Sequence, residues 1–338
     1  MKGAEGLIRT LLAGGVEVCF TNPGTSEMHI VAALDQLKDM RCVLGLFEGV
    51  VTGAADGYAR MANKPACTLL HLGPGLANGV ANLHNARRAE VPLVNLVGQH
   101  ATYHLRHDTP LSSDIEGIAG SCSSWVRTAS AASEVGNDAA DAIVAARSAP
   151  GRIATLIVPE DVAWSEGGAV VETPLVDEPP IPADGMIERA AALLRSGLPT
   201  GILISGKALY GRGLAVAGRI AKATGAKLLA PYPFARMERG ATAPRVERIN
   251  YVLEQAVEQL KEFRQLLLVG ARVPISYFAV PGKNTMLVSP ECKTHTLARP
   301  REDYVGALEA LEAALSLGKK QAHDRKLERP QMPVGPFS

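Results

Sequence analysis

Arg41-Cys42-Val43-Leu44-Gly45-Leu46-Phe47-Glu48-Gly49-Val50-Val51-Thr52-Gly53-Ala54-Ala55-Asp56-Gly57-Tyr58-Ala59-Arg60-Met61 is a β-prone apolar run that passes into a stretch rich in Gly, Ala and Val. A strand over Arg41 to Leu46 and a helix over Glu48 to Met61 follow from that change of pattern. Glu48 stands at the join. A helix so poor in bulk can bring its backbone close to a neighbour, and an acid on its first turn would then sit in a dry, narrow place. Burial of that kind disfavours the charged form of a carboxyl and suits it to acid or base work. A plainer reading competes with this one. A Glu on a first turn meets the positive end of the helix dipole and needs no further role.

Further motifs share that position at a strand-to-helix junction. Asn22-Pro23-Gly24-Thr25-Ser26-Glu27 follows an expected strand over Val16 to Thr21, and His71-Leu72-Gly73-Pro74-Gly75-Leu76-Ala77-Asn78 follows one over Ala66 to Leu70. Open parallel sheets bind ligands along that edge. Taken singly, the Asn-Pro and Pro-Gly pairs are ordinary turn residues. Gly73-Pro74-Gly75 could equally be a plain helix entry.

Together these residues resemble the pyrimidine-binding domain of thiamine diphosphate enzymes, in the acetolactate synthase and benzoylformate decarboxylase group. The likeness rests on Phe47-Glu48 with Ala55-Asp56-Gly57-Tyr58-Ala59-Arg60, the Asn-Pro-Gly turn and the Gly-Pro-Gly turn. It implies that Glu48 hydrogen-bonds the aminopyrimidine and activates the cofactor. It also implies that Pro23, Gly24, Gly73, Pro74, Gly75 and Asn78 line the cofactor, while Thr25 faces the substrate. His71 matches the histidine of benzoylformate decarboxylases and is implied as a catalytic group, against the reading of a histidine packed at a strand end. The activity implied is carboligation or decarboxylation of 2-keto acids, of the kind used in branched-chain amino acid biosynthesis. Family sites form between subunits, so a homodimer or tetramer is expected, with the glycine-rich face of the helix from 48 to 61 as the contact.

Composition agrees with a soluble enzyme. The chain has 338 residues, 47% of them hydrophobic, and a net charge of +1. That balance gives no nucleic-acid surface. The N-terminus shows no basic-then-apolar leader, and no uncharged run reaches the roughly 18 residues of a membrane span. Cys19, Cys42, Cys67, Cys122 and Cys292 are scattered, without a Cys-x-x-Cys pair. Free thiols in a reducing cytoplasm are therefore expected.

Strands alternate with helices along the chain, predicting an α/β fold: a doubly wound parallel sheet followed by a second, smaller α/β domain. The expected pyrimidine-binding domain covers residues 1–164. Residues 165–183, with Gly167-Gly168, Pro174, Pro179-Pro180 and Pro182, read as a linker. The middle domain is expected over 184–317, including a helix from Arg248 to Leu260 and a strand from Thr285 to Ser289. Its glycine-rich turn, Ser205 to Gly213, lacks the dinucleotide-binding spacing, so FAD is not expected.

Residues 318–338 are basic, then Pro-rich, and read as a connector toward a diphosphate-binding domain that the chain lacks. The family binds Mg²⁺ and the diphosphate through a Gly-Asp-Gly motif there, and this sequence contains none. A competing class of function follows: a non-catalytic pairing or regulatory module, or a subunit of a split enzyme needing a separate diphosphate-binding chain. His100, His104 and His107 have a spacing that could hold zinc on a helix. Pro110 and the preceding strand favour a loop, so no metal site is assigned there. By resemblance to related decarboxylases, which place catalytic histidines in this loop, His107 is implied as a catalytic residue, against the reading of a solvated loop.

Overall fold

The computed structural model describes residues 1–317 and 331–335. The connector read over 318–338 therefore lies mostly outside the described residues. The chain divides into a unit over Met1–Glu178 and a unit over Pro179–Ser338.

The first unit runs α1 (Gly3–Ala13), β1 (Val18–Asn22), α2 (Met28–Gln36), β2 (Arg41–Leu44), α3 (Glu48–Ala62), β3 (Ala66–Leu70) and α4 (Leu72–Arg88). It continues with β4 (Leu93–Gln99), α5 (Ile115–Gly120), β5 (Trp125–Thr128), α6 (Val135–Arg147), β6 (Ile153–Pro159) and α7 (Glu160–Trp164). Its strands form one sheet in the order β2-β1-β3-β4-β6-β5, every pair parallel. Such a sheet must be covered on both faces. On one side Leu7, Ile8, Leu11, Ile30, Val135 and Ile143 close over Cys19, Leu69, Val94 and Leu156. On the other, Val51, Ala55, Leu76, Leu83 and Ile115 close over Leu70, Leu93, Val97 and Ile157. Truncating one of these buried leucines to Ala would cost about 2–5 kcal/mol.

A polar thread crosses the middle of this sheet. Thr68 Oγ1 donates to Asn95 Oδ1 at 2.5 Å, and Asn95 Nδ2 donates to Thr155 Oγ1 at 3.0 Å. All three residues are buried, so each polar group is satisfied by its neighbour in register rather than by water.

Following β1, the chain returns to β2 on one side of it and reaches β3 on the other. The order of connection therefore reverses between β1 and β3, where Asn22 sits opposite Leu70. Ligands of doubly wound sheets bind at the carboxyl ends flanking such a reversal. The Asn-Pro-Gly and Gly-Pro-Gly turns both emerge there. The segment read as a linker has no helix, but its first part is fastened to this unit. Gly168 lies against the backbone of Lys2 and Gly3, and Val171 N–H donates to Thr10 Oγ1 at 3.1 Å.

The second unit comprises α8 (Asp184–Arg195), β7 (Thr200–Ile204), α9 (Gly211–Thr224), β8 (Lys227–Ala230), β9 (Val246–Arg248), α10 (Leu253–Leu260), β10 (Gln265–Val269), β11 (Lys293–Ala298) and α11 (Tyr304–Ala314). Its sheet is also parallel, in the order β11-β10-β7-β8-β9. Arg219 of α9 forks onto Glu312 of α11, Nε to Oε1 at 2.5 Å and a terminal nitrogen to Oε2 at 2.9 Å.

Some sequence expectations give way here. The helix expected from Arg248 starts at Leu253, and Val246–Arg248 is instead an edge strand. Thr285 to Ser289 is not a strand of the sheet. Lys293–Ala298 takes the place beside β10, and Met286 only bridges back to Ile275. β11 reads Lys-Thr-His-Thr-Leu-Ala, polar and open to solvent until its buried last two residues, so this edge strand carries a weak apolar signal. No helix among the described residues is long and apolar enough to cross a membrane.

Candidate active site

Glu48 opens α3 after Phe47, whose extended backbone (φ −155°, ψ 136°) carries the chain out of β2. Its side chain is part-buried, and Asn78 Nδ2 of α4 donates to its Oε2 at 3.1 Å. The other oxygen, Oε1, takes no hydrogen bond among the described residues. It lies 3.4 Å from where a β-carbon on Gly75 would stand, and His71 Cβ lies 3.4 Å from the same point. The structure thus gathers Glu48, Asn78, Gly75 and His71 at the end of β3.

α3 earns its closeness to α4 through small residues. Asn82 Nδ2 donates to Gly49 O at 2.6 Å, and Thr52 Oγ1 reaches Gly79 O at 3.3 Å. The rest of its motif anchors the helix. Arg60 forks onto Asp56, Nε to Oδ1 at 2.8 Å and a terminal nitrogen to Oδ2 at 2.6 Å. Tyr58 donates its hydroxyl to Glu17 at 2.7 Å; that bond lowers the titration of the Glu17 carboxyl and raises that of the phenol.

The dry pocket expected around Glu48 is not formed by these residues. The close approach of the small-residue helix is directed at α4 and does not cover the carboxyl. Gly49 and Gly53 face Asn82, so these two glycines of the face expected as a subunit contact are occupied within the chain, while Gly57 stays open. Outward lie Val50, Gly57 and Met61, and beside them Leu44, Leu46 and Phe47 are exposed, Leu46 by 91%.

Across the strand reversal, the Asn-Pro-Gly turn is tied in by Asn22 Nδ2, which donates to Gly45 O at 2.7 Å. Pro23 is part-buried and Thr25 exposed. Gly24 lies under the His71 ring, where a β-carbon would come within 2.4 Å of Nδ1. His71 meets Glu27 there, Nδ1 to Oε2 at 2.8 Å, and Ser26 Oγ stands 3.2 Å from the same nitrogen. Glu27 is fully buried. In the sequence the one signal for Glu27 is its place, an acid three residues after a turn glycine.

In the Gly-Pro-Gly turn, Leu72 has a φ of 50°, a left-handed backbone that a bulky residue seldom adopts. Such strain is found at ligand-binding turns, where the surrounding structure holds it. Gly73 abuts Ser113, Pro74 is exposed and Gly75 is buried. His107 is not brought to this group. It is exposed in a turn over Leu105–His107, and its ring packs 5.4 Å from that of His104. His100 bonds Thr109 at 3.0 Å. The described residues contain no group of three or more His, Cys, Asp or Glu able to hold a metal ion.

Residues 1–118 match the model of the thiamine pyrophosphate enzyme N-terminal TPP binding domain. A Mycobacterium tuberculosis protein, named provisionally as an acetolactate synthase large subunit, is 52% identical over 335 residues, 99% of this chain and 64% of that protein. Benzoylformate decarboxylase of Pseudomonas aeruginosa is 41% identical over 85 residues, 25% of this chain and 16% of the enzyme. The structure of the thiamine diphosphate-dependent 4-hydroxybenzoylformate decarboxylase of Rhodococcus jostii matches with a TM-score of 0.80 at 20% identity, over 99% of this chain and 66% of that one. That last likeness is one of fold. The chain spans less than two thirds of the length of its Mycobacterium relative, at 64%. The chain is similar to thiamine diphosphate enzymes of the acetolactate synthase and benzoylformate decarboxylase group.

Proposed function

We propose that the first unit holds the aminopyrimidine end of thiamine diphosphate at the carboxyl ends of β1 and β3. The observation that carries this reading is the pairing at Glu48. Asn78 fixes one carboxyl oxygen and leaves the other beside the space above Gly75. A carboxyl oxygen so presented can share a proton with a ring nitrogen, and the missing β-carbon of Gly75 leaves room for a flat ring. The residues present therefore fit the group. When bound, the cofactor supplies the electron sink for decarboxylation or carboligation of a 2-keto acid.

In this reading Glu48 holds the proton at Oε1, Asn78 orients the carboxyl, and Pro23, Gly24, Gly73 and Pro74 shape the turns on either side. His71 exchanges a proton with the substrate, while the exposed Thr25 stands on the substrate side. His107 itself bonds Arg106 and packs on His104 rather than on this group, and its catalytic role is not carried forward.

The whole enzyme acts as an acetolactate synthase-like 2-keto acid carboligase or decarboxylase, with the diphosphate and Mg²⁺ held by a further domain. The apolar rim of Leu44, Leu46, Phe47 and Val50 beside a part-buried acid favours completion of the site by a second polypeptide. A homo-oligomer supplies it in the first reading. The same rim favours a second reading, in which this chain is a pairing subunit for a separate diphosphate-binding chain.

The test is turnover of pyruvate and benzoylformate with thiamine diphosphate and Mg²⁺, by this chain alone and with a purified diphosphate-binding domain of a homologous enzyme. Glu48→Gln should cut turnover about 10²–10⁴-fold, the usual worth of a general acid or base, with the circular dichroism of the fold unchanged. Equal turnover in the variant refutes the assigned role. Activity with the added domain from a chain that forms no homo-oligomer selects the second reading.

A further inference from the structure

Glu27 has no exposed surface. An acid so placed is costly unless donors meet its oxygens, and here they do. Gly24 N–H donates to Oε2 at 2.7 Å, the Ser26 hydroxyl donates to Oε1 at 2.6 Å, and His71 Nδ1 stands 2.8 Å from Oε2. Helix capping accounts for the first bond alone, since a Glu on a first turn can reach back to the N–H that precedes it. Capping does not account for an imidazole contributed from 44 residues away. Nor does it explain the clearance at Gly98, where a β-carbon would stand 1.6 Å from Glu27 Oε1.

The hydrogens can be assigned from this arrangement. Ser26 has one hydroxyl proton and gives it to Glu27, so toward His71 Nδ1, 3.2 Å away, it can only accept. With Glu27 as the carboxylate, both neighbours of Nδ1 are acceptors and Nδ1 carries the hydrogen. A partner on one ring nitrogen settles which nitrogen remains for chemistry. We infer that Glu27 is a positioning residue for His71: with Ser26 it holds the imidazole as the Nδ1–H tautomer and leaves Nε2 to take up or release a proton. The catalytic value of that arrangement rests on the proposed function, but the tautomer does not.

Nitrogen-15 NMR of the full chain with labelled histidine, at a pH where the ring is neutral, reads the tautomer directly. His71→Gln identifies the signals. His71 should carry its hydrogen on Nδ1 in the unsubstituted chain and also in Glu27→Gln, whose amide oxygen can still accept. In Glu27→Ala the signals should move to the Nε2–H form or to an average of the two. A wild-type ring protonated at Nε2, or one unmoved in Glu27→Ala, overturns the inference. Should Glu27→Ala fail to fold, the wild-type assignment decides alone. Failure of the chain to bind thiamine diphosphate while His71 keeps its Nδ1 hydrogen would count against the proposed function and leave this inference standing.

Discussion

Glu48 and His71 approach one point: the position of a β-carbon on Gly75 lies 3.4 Å from Glu48 Oε1 and 3.4 Å from His71 Cβ. These residues open α3 and precede α4, helices that follow different strands of the sheet. Glu48 follows β2 and His71 follows β3, the strands on either side of β1, so they meet across the carboxyl end of β1.

Gly75→Ala should therefore separate binding from folding. A methyl at 3.4 Å from each neighbour is ordinary contact, and Ala in place of Gly favours a helix by about 0.5–1 kcal/mol. The melting temperature should hold or rise slightly. Affinity for thiamine diphosphate should fall at least about tenfold, which is about 1.4 kcal/mol, because the methyl takes the space beside Glu48 Oε1. Thermal melts and calorimetry on the same sample check both halves.

Gly98→Ala should act in the opposite sense. Its methyl would fall 1.6 Å from Glu27 Oε1, in a strand with no room to yield. Overpacking of that kind costs about 1–3 kcal/mol, read from the urea midpoint. A stability equal to wild type would mean that Glu27 is free to move, contrary to its three hydrogen bonds.

Thiol chemistry should report on the edge of the first sheet. Cys42 is exposed on β2, whereas Cys19, Cys67, Cys122 and Cys292 are buried. Partial burial, and then the neighbouring Cys19, push the Cys42 thiol above the ordinary cysteine range. The thiolate is the reactive form, so native labelling should be slow at neutral pH and quicken as pH rises. Cys42→Ser should remove the native phase. The Cys19 thiol, raised further by its contact with Cys67 and by burial, should label only on unfolding. Persistence of the native phase in Cys42→Ser would contradict this placement.

The parts of the fold that could be read from sequence are those whose pattern is local. Glu48 at the head of α3 follows from an apolar run that gives way to small residues. The parallel sheet of the first unit follows from strands such as Ile153–Pro159, buried along their whole length. Legibility fails where a partner decides. Thr285 to Ser289 is as β-prone as Lys293–Ala298, yet only the latter pairs with β10. Val246–Arg248 is a strand because β8 accepts it. The exposure of Glu48 could not be read either, since it depends on α3 turning its glycines toward Asn82. Glu27 was hidden for a related reason. Its meaning lies in His71 and Gly98, which only the folded sheet brings to it.

The central claim is that Glu48 presents a carboxyl oxygen to the ring of thiamine diphosphate, and calorimetry tests it most directly. The chain and its Glu48→Gln variant, each with a purified diphosphate-binding domain of a homologous enzyme, would be titrated with thiamine diphosphate in the presence of Mg²⁺. Saturable binding to the chain, weakened at least about tenfold in the variant, is the predicted result. Equal affinity in the two proteins, or no binding to the unsubstituted chain at millimolar cofactor, would contradict it.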